Sequence, residues 1–204
     1  MIGPPASGKG TIGKMLSREL NVPLINTGRL LREIPSDSIW YTPVHEAMDE
    51  GRLAPNNIVG GLLTEVITEN PAYKKGYILD GWLRQISDLK FFNPKFDIVL
   101  YLNNSKETTY SRIDSRRVCE KEGHTFNLIT SPPKISDKCD IDGSKLVRRK
   151  DDTKEVVDER YEEYLRLTIP VVEYFKKRSI LLEVDAEGTP IEVFMRVKKK
   201  IRLA

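Results

Sequence analysis

Residues 3–11 read Gly3-Pro4-Pro5-Ala6-Ser7-Gly8-Lys9-Gly10-Thr11, and this segment is the strongest indication of the fold. It fits the pattern G-x-x-x-x-G-K, with a glycine inserted before the threonine. Small residues let successive backbone N–H groups curl around a phosphate, and the following helix presents its positive end. Lys9 adds a charge for the β- and γ-phosphates, while the Thr11 hydroxyl can help to fix them or a hydrated Mg²⁺. The stretch therefore predicts a phosphate-binding loop rather than an ordinary Gly/Pro turn, with Gly3, Ser7, Gly8, Lys9, Gly10 and Thr11 as ligands.

Short apolar segments alternate with helical patterns along the rest of the chain. The predicted strands are Pro23–Ile25, Tyr77–Leu79, Ile98–Leu102 and Ile180–Val184. The predicted helices are Thr11–Leu20, Ile58–Glu69, Lys106–Ser115, Thr153–Lys177 and Ile191–Ile201. Only Met1 and Ile2 precede the loop, so either a first strand is abbreviated or it begins before the given sequence. The alternation predicts an α/β fold of the P-loop NTPase type, a parallel five-stranded sheet flanked by helices.

Two stretches interrupt this alternation. Residues 27–54 have a helical pattern broken at Pro35 and Pro43, and residues 116–149 are rich in proline, glycine, serine and charge. We interpret both as insertions, a helical one and a small lid, on a core domain formed by residues 1–26, 55–115 and 150–204.

Asp80 follows the predicted strand Tyr77–Leu79 and precedes a glycine. An Asp-Gly pair alone is more typical of a turn. Since enzymes with a phosphate loop hold Mg²⁺ through a carboxylate in such a place, we predict that Asp80 and Thr11 are associated with Mg²⁺.

Several motifs resemble those of the adenylate kinases, a family of nucleoside-monophosphate kinases. They are the loop at residues 3–11, Thr27-Gly28-Arg29-Leu30-Leu31-Arg32, Gly51-Arg52-Leu53-Ala54-Pro55, residues 77–84, residues 112–117, residues 149–152 and Arg160. They follow the family's order from residue 3 to about residue 185. The resemblance implies a reversible, Mg²⁺-dependent reaction in which ATP and AMP give two ADP.

The resemblance also implies roles for individual residues. The implied catalytic residues are Lys9, Arg84, Arg116, Arg149 and Arg160. The implied ATP ligands beyond the loop are Arg112, against the adenine, and Arg116. The implied AMP ligands are Thr27, Gly28, Arg32, Ala54, Gly81, Arg84, Gln85, Asp88, Arg149 and Arg160. These roles suit the chemistry, because phosphoryl transfer needs positioning and positive charge, and the planar arginine fork binds phosphate oxygens in pairs.

The residues that would recognise the base of the acceptor nucleotide point in two directions. Thr27 is the residue type of adenylate-specific members, and pyrimidine-nucleotide relatives usually carry alanine there. The family usually has a glutamine at the position of Asp88, where it bonds the AMP adenine. A carboxylate accepts hydrogen bonds but cannot donate one to a ring nitrogen, although Gln85 can compensate. A UMP/CMP-type or broad monophosphate kinase is therefore an alternative, and an ATPase without a nucleotide acceptor is an alternative of another class.

The lid stretch contains residues that can bind a metal. Some adenylate kinases hold a structural zinc there by two short ligand pairs, and Cys139 with Asp142 resembles the second pair in its aspartate form. Cys119 begins the first pair, but Glu122 stands where the second cysteine belongs, and His124 follows. Zn²⁺ accepts sulfur, nitrogen and oxygen ligands, so either residue can complete a tetrahedron. The alternatives are a metal-free polar cluster and a disulfide.

Composition restricts the other classes. A net charge of +3 argues against a dedicated nucleic-acid binder, and two cysteines are too few for a disulfide scaffold. No apolar run approaches the ~20 residues of a membrane span, and no secretory signal is visible. We therefore expect a cytoplasmic protein with nucleotides as partners, without nucleic-acid or membrane partners, and a monomer by family resemblance.

Overall fold

The structure is a computed structural model, and it describes residues 1–202. The helices are α1 (Lys9–Leu20), α2 (Thr27–Arg32), α3 (Tyr41–Asp49), α4 (Asn56–Glu69), α5 (Lys106–Asp114), α6 (Lys154–Glu163), α7 (Ile169–Lys176) and α8 (Pro190–Arg202). The strands are β1 (Leu24–Asn26), β2 (Ile78–Asp80), β3 (Val99–Asn103), β4 (Arg116–Cys119), β5 (Thr125–Asn127), β6 (Leu146–Val147) and β7 (Leu181–Asp185). Short 3₁₀ helices cover Pro71–Lys75 and Ile86–Lys90, and a π-helical turn covers Tyr164–Thr168.

The central sheet is parallel. β1 pairs with β2, and β3 pairs with β7. Met1 and Ile2 lie between these two pairs, because the Met1 amino group donates to the Leu79 carbonyl at 2.6 Å and the Ile2 N–H donates to the Leu100 carbonyl at 2.9 Å. The order across the sheet is thus β1, β2, Met1–Ile2, β3, β7. This arrangement confirms the predicted parallel α/β fold.

Each of the four predicted strands is present but lies one residue further along the chain. The last residue of each observed strand is polar: Asn26, Asp80, Asn103 and Asp185. The apolar pattern ends before these residues, but their backbones still pair with the neighbouring strand. All four polar side chains therefore stand at the carboxyl edge of the sheet, where ligands of parallel sheets bind.

Helices cover both faces of the sheet. Alternate residues of β3 point to opposite sides, so that Leu102 joins a core with Ile12 of α1 and Val197 of α8, while Tyr101 joins a second core. The second core is built from α4 and α7, with Leu63 and Val171 fully buried, among others. Two-sided burial explains why the strand sequences are continuously apolar.

The helical pattern predicted for Thr153–Lys177 is divided into α6, the π-helical turn and α7. Thr153 caps α6 by accepting a hydrogen bond from the Val156 N–H. Asp151 and Asp152, which precede Thr153, do not cap this helix, because both carboxylates bind arginine side chains.

The two predicted insertions contain structure of their own. Residues 27–54 include α2 and α3, and residues 116–149 include an antiparallel sheet in the order β5-β4-β6. Cys119, Phe126, Cys139 and Leu146 form a small buried cluster under this sheet. The domain boundaries stay a prediction.

Within residues 1–202, no helix combines the length and apolar character that crossing a membrane requires.

Candidate active site

The phosphate loop lies at the carboxyl edge of the sheet. Gly3 has a φ of 152°, and a Cβ atom added there would lie 2.3 Å from the Leu102 carbonyl oxygen. Gly8 has a φ of 89° and directly precedes α1. Only glycine adopts these conformations without strain. The loop residues therefore bring the backbone close to the sheet and turn it into the helix N-terminus, and Thr11 is exposed on the first turn.

Lys9 folds over this loop. Its ammonium group donates to the carbonyl oxygens of Gly3 at 2.9 Å and Pro4 at 2.8 Å. Burial lowers the pKa of Lys9 to about 8; Asp80 opposes this shift, and the positive charges of Arg84 and Arg116 add to it. The lysine is still mostly charged at pH 7 and is already placed beside the loop that would hold a phosphate.

Asp80 ends β2 close to the start of α1. It is 4% exposed, and its Oδ2 accepts a hydrogen bond from the Asn26 amide at 2.6 Å. The Asn26 Oδ1 accepts from the Arg29 N–H at 2.8 Å and so caps α2. Asn26 was missed by the sequence analysis, although it follows an apolar strand in the same way as Asp80. It connects the predicted Mg²⁺-associated carboxylate to the helix that carries Thr27, Gly28 and Arg32.

Five arginines and Lys9 face one another around the loop. The arginines are Arg32, Arg84, Arg116, Arg149 and Arg160. Burial and the charges of Arg116 and Arg32 lower the pKa of Arg149 to about 10. Removal of water by the surrounding protein and the charge of Arg160 likewise lower the pKa of Arg84. The family resemblance implies this set, and in the structure the six cationic groups lie close enough to influence one another's charges.

Two buried aspartates hold three of these arginines. Asp151 accepts paired hydrogen bonds from Arg149, at 3.0 and 2.9 Å, and a further one from Arg160. Asp152 accepts from Arg116, with the Nε hydrogen bond at 2.8 Å. Paired hydrogen bonds fix both the position and the plane of a guanidinium. Since carboxylates are fewer than cations here, the site has an excess of positive charge that suits a polyphosphate.

Arg112 braces the loop from the outside. Its guanidinium donates to the carbonyl oxygens of Ala6 at 3.3 Å, Ala186 at 2.6 Å and Gly188 at 3.0 Å. The hydroxyl of Thr109, on the same helix, donates to the Pro5 carbonyl at 3.2 Å. α5 therefore fixes the loop to the segment that follows β7.

Thr27, the first residue of α2, lies in the region where we expect the acceptor nucleotide to bind. It is 3% exposed, and within residues 1–202 its hydroxyl oxygen has no hydrogen-bond partner. A Cβ added to Gly81 would lie 3.5 Å from the Thr27 Cβ, so these two residues adjoin. Gly28 lies beside Arg32, and Ala54 is half-buried against the core. A buried hydroxyl without a partner is costly, and a bound ligand would remove that cost.

Gln85 and Asp88, the two predicted adenine readers, bind each other's backbone. The Asp88 Oδ2 accepts from the N–H groups of Arg84 at 2.8 Å and Gln85 at 3.1 Å. The Gln85 side chain accepts from the Asp88 N–H, which completes a capping box. Burial raises the pKa of Asp88, and the two backbone hydrogen bonds partly offset this shift. The geometry thus favours a structural role for Asp88 over base reading.

Four side chains of the lid converge on one point. The ligand atoms of Cys119, His124, Cys139 and Asp142 all lie within 4.8 Å of one another. Glu122 does not belong to this group, and its backbone N–H donates to the Cys119 sulfur at 3.2 Å. Both cysteines are free thiols. Two sulfurs, an imidazole and a carboxylate are a donor set that fits zinc.

Fold and site together define a nucleotide kinase with a phosphate loop. The sequence matches the adenylate kinase family model over residues 1–180. It is 37% identical over 210 residues to an adenylate kinase of Methanocella arvoryzae, covering 99% of this chain and 97% of the relative. It is also 37% identical to adenylate kinases of Thermosipho melanesiensis, over 98% of this chain and 97% of the relative, and of Mesomycoplasma hyopneumoniae, over 97% and 95%. The chain belongs to the adenylate kinase family and is a nucleoside-monophosphate kinase.

Proposed function

We propose that the protein reversibly transfers a phosphoryl group from Mg²⁺-bound ATP to AMP, giving two ADP, and that it acts as a monomer in the cytoplasm. The observation that carries the reaction is the group of five arginines and one lysine beside a phosphate loop, opposed by fewer carboxylates. An ATPase also needs a residue that activates water, and the charged groups at this site are mainly cations. A phosphate acceptor suits such a site better than water does.

The donor triphosphate would bind along the loop and the N-terminus of α1. Lys9 leaves the loop carbonyls to bind the β- and γ-phosphates, while Arg116 and Arg149, fixed by their aspartates, meet the transferring group. Bound Mg²⁺ would neutralise charge on the ATP phosphates, and Asp80 and Thr11 would hold it. Catalysis here is positioning and positive charge, because the loose transition state needs neither an acid nor a nucleophile from the protein.

The acceptor would bind under the insertion at residues 27–54. Arg32 and Arg84 would bind its phosphate, and Arg160 would bind it as well. The Arg160 guanidinium reaches this insertion, because it donates to the carbonyl of Met48 as well as to that of Asp151. Thr27, with its unpartnered hydroxyl, supports AMP as the acceptor, beside Gly28, Ala54, Gly81 and Gln85. The lid at residues 116–149 would cover ATP, and closure of both insertions would keep water from attacking the γ-phosphorus.

Activity of a Lys9→Ala variant tests this assignment. A coupled assay with ATP and each of AMP, GMP, CMP and UMP should show AMP as the preferred acceptor for the wild type. Lys9→Ala should lower kcat by roughly a hundredfold or more, because a pre-placed charge on the phosphates is lost. Lys14→Ala, an exposed lysine on the same helix, is the control and should be near normal. Near-normal turnover by Lys9→Ala, or ATP consumption without an acceptor, would refute the assignment.

We further propose that the lid cluster of Cys119, His124, Cys139 and Asp142 holds a structural zinc ion. The support is the convergence of four suitable donors beneath a small sheet whose buried cluster contains both cysteines. Such a small sheet gains stability from a metal that cross-links its strands. The metal-free polar cluster stays the alternative, since the same atoms also hydrogen-bond one another, for example Cys119 Sγ with the Ser144 hydroxyl at 2.9 Å.

Metal analysis distinguishes the two. Protein purified without chelator should contain about one zinc per chain, and His124→Ala should lose it. Glu122→Ala is the matched control, because Glu122 has the family's spacing but lies outside the cluster, and it should retain the metal. Zinc far below one per chain in the wild type would overturn the proposal. Loss in Glu122→Ala with retention in His124→Ala would instead show that the ligand set is wrong.

A further inference from the structure

The backbone of Arg84 is held from both sides by buried side chains. Its N–H donates to the Asp88 carboxylate at 2.8 Å, and its carbonyl accepts from the Thr168 hydroxyl at 2.9 Å. Asp88 is 4% exposed and Thr168 is 6% exposed. These two contacts come from segments far apart in the sequence, since Asp88 lies in the 3₁₀ helix that follows Arg84 and Thr168 ends the π-helical turn. Tertiary hydrogen bonds therefore fix both the backbone N–H and the backbone carbonyl of Arg84.

The backbone conformation of Leu83, the residue before Arg84, explains why the Arg84 backbone must be held in place. Leu83 has a φ of 57°, in the left-handed region that side chains with a Cβ rarely adopt. It is also buried, with 3% exposure. Strained conformations persist only where the surroundings enforce them, and they concentrate at functional sites. The contacts of Asp88 and Thr168 enforce this turn, which aims the Arg84 side chain into the cation group.

The Asp88 carboxylate is engaged by neighbouring protein groups, which include the side chains of Gln85 and Asn56. Its Oδ2 serves two backbone N–H groups, and its backbone N–H is bound by the Gln85 side chain. A base reader would have to direct a polar atom toward the nucleotide. The hydroxyl of Thr27 is the buried polar group beside Gly81 that lacks a protein partner within the described residues.

We infer that Asp88 and Thr168 are positioning residues for Arg84, and that Asp88 does not discriminate between acceptor bases. This inference rests on the proposed function, in which Arg84 binds the acceptor phosphate. Because the phosphate is common to all nucleoside monophosphates, an error in its placement affects every acceptor alike. Discrimination in favour of adenine then depends on the Thr27 side of the pocket.

Steady-state kinetics of Asp88→Ala and Thr168→Val test the inference. Both variants should lower kcat/KM for AMP by roughly tenfold to a hundredfold, as expected for a misplaced binding group, with the KM for ATP unchanged. The ratio of AMP to GMP turnover should stay within about threefold of the wild-type ratio. Asp88→Asn keeps one acceptor oxygen for the two backbone N–H groups and Thr168→Ser keeps the hydroxyl, so each should restore most of the activity. Thr168→Val is isosteric, so it remains informative if Asp88→Ala does not fold.

Four results would overturn the inference. A selective loss of AMP turnover relative to GMP in Asp88→Ala would identify a base reader. Unchanged kinetics in both variants, or a failure of the conservative variants to restore activity, would remove the positioning role. A parallel loss of ATP affinity and thermal stability would indicate a purely structural one. Failure of the proposed function is distinguishable, since the wild type would then not have AMP as its preferred acceptor.

Discussion

Asp151 offers the sharpest quantitative prediction from this structure. It is 9% exposed and accepts hydrogen bonds from Arg149 and Arg160. Burial by itself raises the pKa of Asp151, but the charges of Arg149 and Arg160 more than reverse this, so that the pKa falls to about 2. In an Asp151→Asn variant the two guanidiniums lose their shared counter-charge and still face Arg116 and Arg32.

The magnitude follows from the pKa. One pKa unit corresponds to about 1.4 kcal/mol, so the shift from 3.8 to about 2 gives about 2.5 kcal/mol of folding free energy at neutral pH. Loss of a partner from a buried ion pair adds the cost of unpaired charge, so we expect Asp151→Asn to destabilise the protein by about 2.5–4 kcal/mol. Because the folded pKa is depressed, this contribution is present above about pH 4 and is lost as the pH falls toward 2.

Urea unfolding of the wild type and of Asp151→Asn between pH 7 and pH 2.5 measures this loss of unfolding free energy. The difference between wild type and Asp151→Asn should be largest at pH 6–7 and should shrink as the pH falls below about 4. Asp114→Asn is the control, because Asp114 forms an ion pair with Arg148 on an exposed surface, and such pairs contribute less than about 1 kcal/mol. A difference below about 1 kcal/mol at pH 7, or one that does not depend on pH, would show that Asp151 does not stabilise the fold as a counter-charge.

Three further substitutions have expected outcomes. Gly3→Ala would place a Cβ 2.3 Å from the Leu102 carbonyl, so it should cost about 2 kcal/mol or more and weaken ATP binding, as thermal unfolding and ATP titration would show. Gly61→Ala, inside α4 with no atom within 4 Å of the added Cβ, should instead raise the unfolding free energy by about 0.5–1 kcal/mol in urea. Asn26→Ala removes the α2 cap and the hydrogen bond to Asp80, so it should lower the unfolding free energy by about 1–2 kcal/mol. It should also lower kcat with Mg²⁺-bound ATP. An unchanged kcat would show that Asn26 does not help to position the Asp80 carboxylate for catalysis.

Local patterns predicted most of the fold. The phosphate loop and four apolar segments each depend on a few adjacent residues, and the structure places them as expected, with the strands displaced by one residue. The displacement has a single cause. Strand pairing is a property of the backbone and continues through a polar residue such as Asp80, whereas a hydropathy pattern ends before it.

Residues whose role depends on distant partners were the ones that the sequence could not assign. Asn26 and Thr168 look like an ordinary cap and an ordinary helical threonine, and only the folded chain brings them to Asp80 and to the Arg84 carbonyl. Family spacing suggested Asp88 as a base reader, but the local 3₁₀ helix engages its carboxylate. For the lid, spacing alone left Glu122 and His124 equal, and the β4–β5 turn places His124 in the cluster.

The π-helical turn at Tyr164–Thr168 has a geometric consequence for the helix that carries it. Arg160 and Thr168 are eight residues apart, which at about 100° per residue would leave them about 80° apart around a regular helix. A π-helical turn contains one residue more than an α-helical turn, and so it removes about 100° of rotation. The two side chains then lie within about 20° of each other, both directed at the arginine cluster. If the same eight residues formed a regular α-helix instead, one of the two side chains would be directed away from the site.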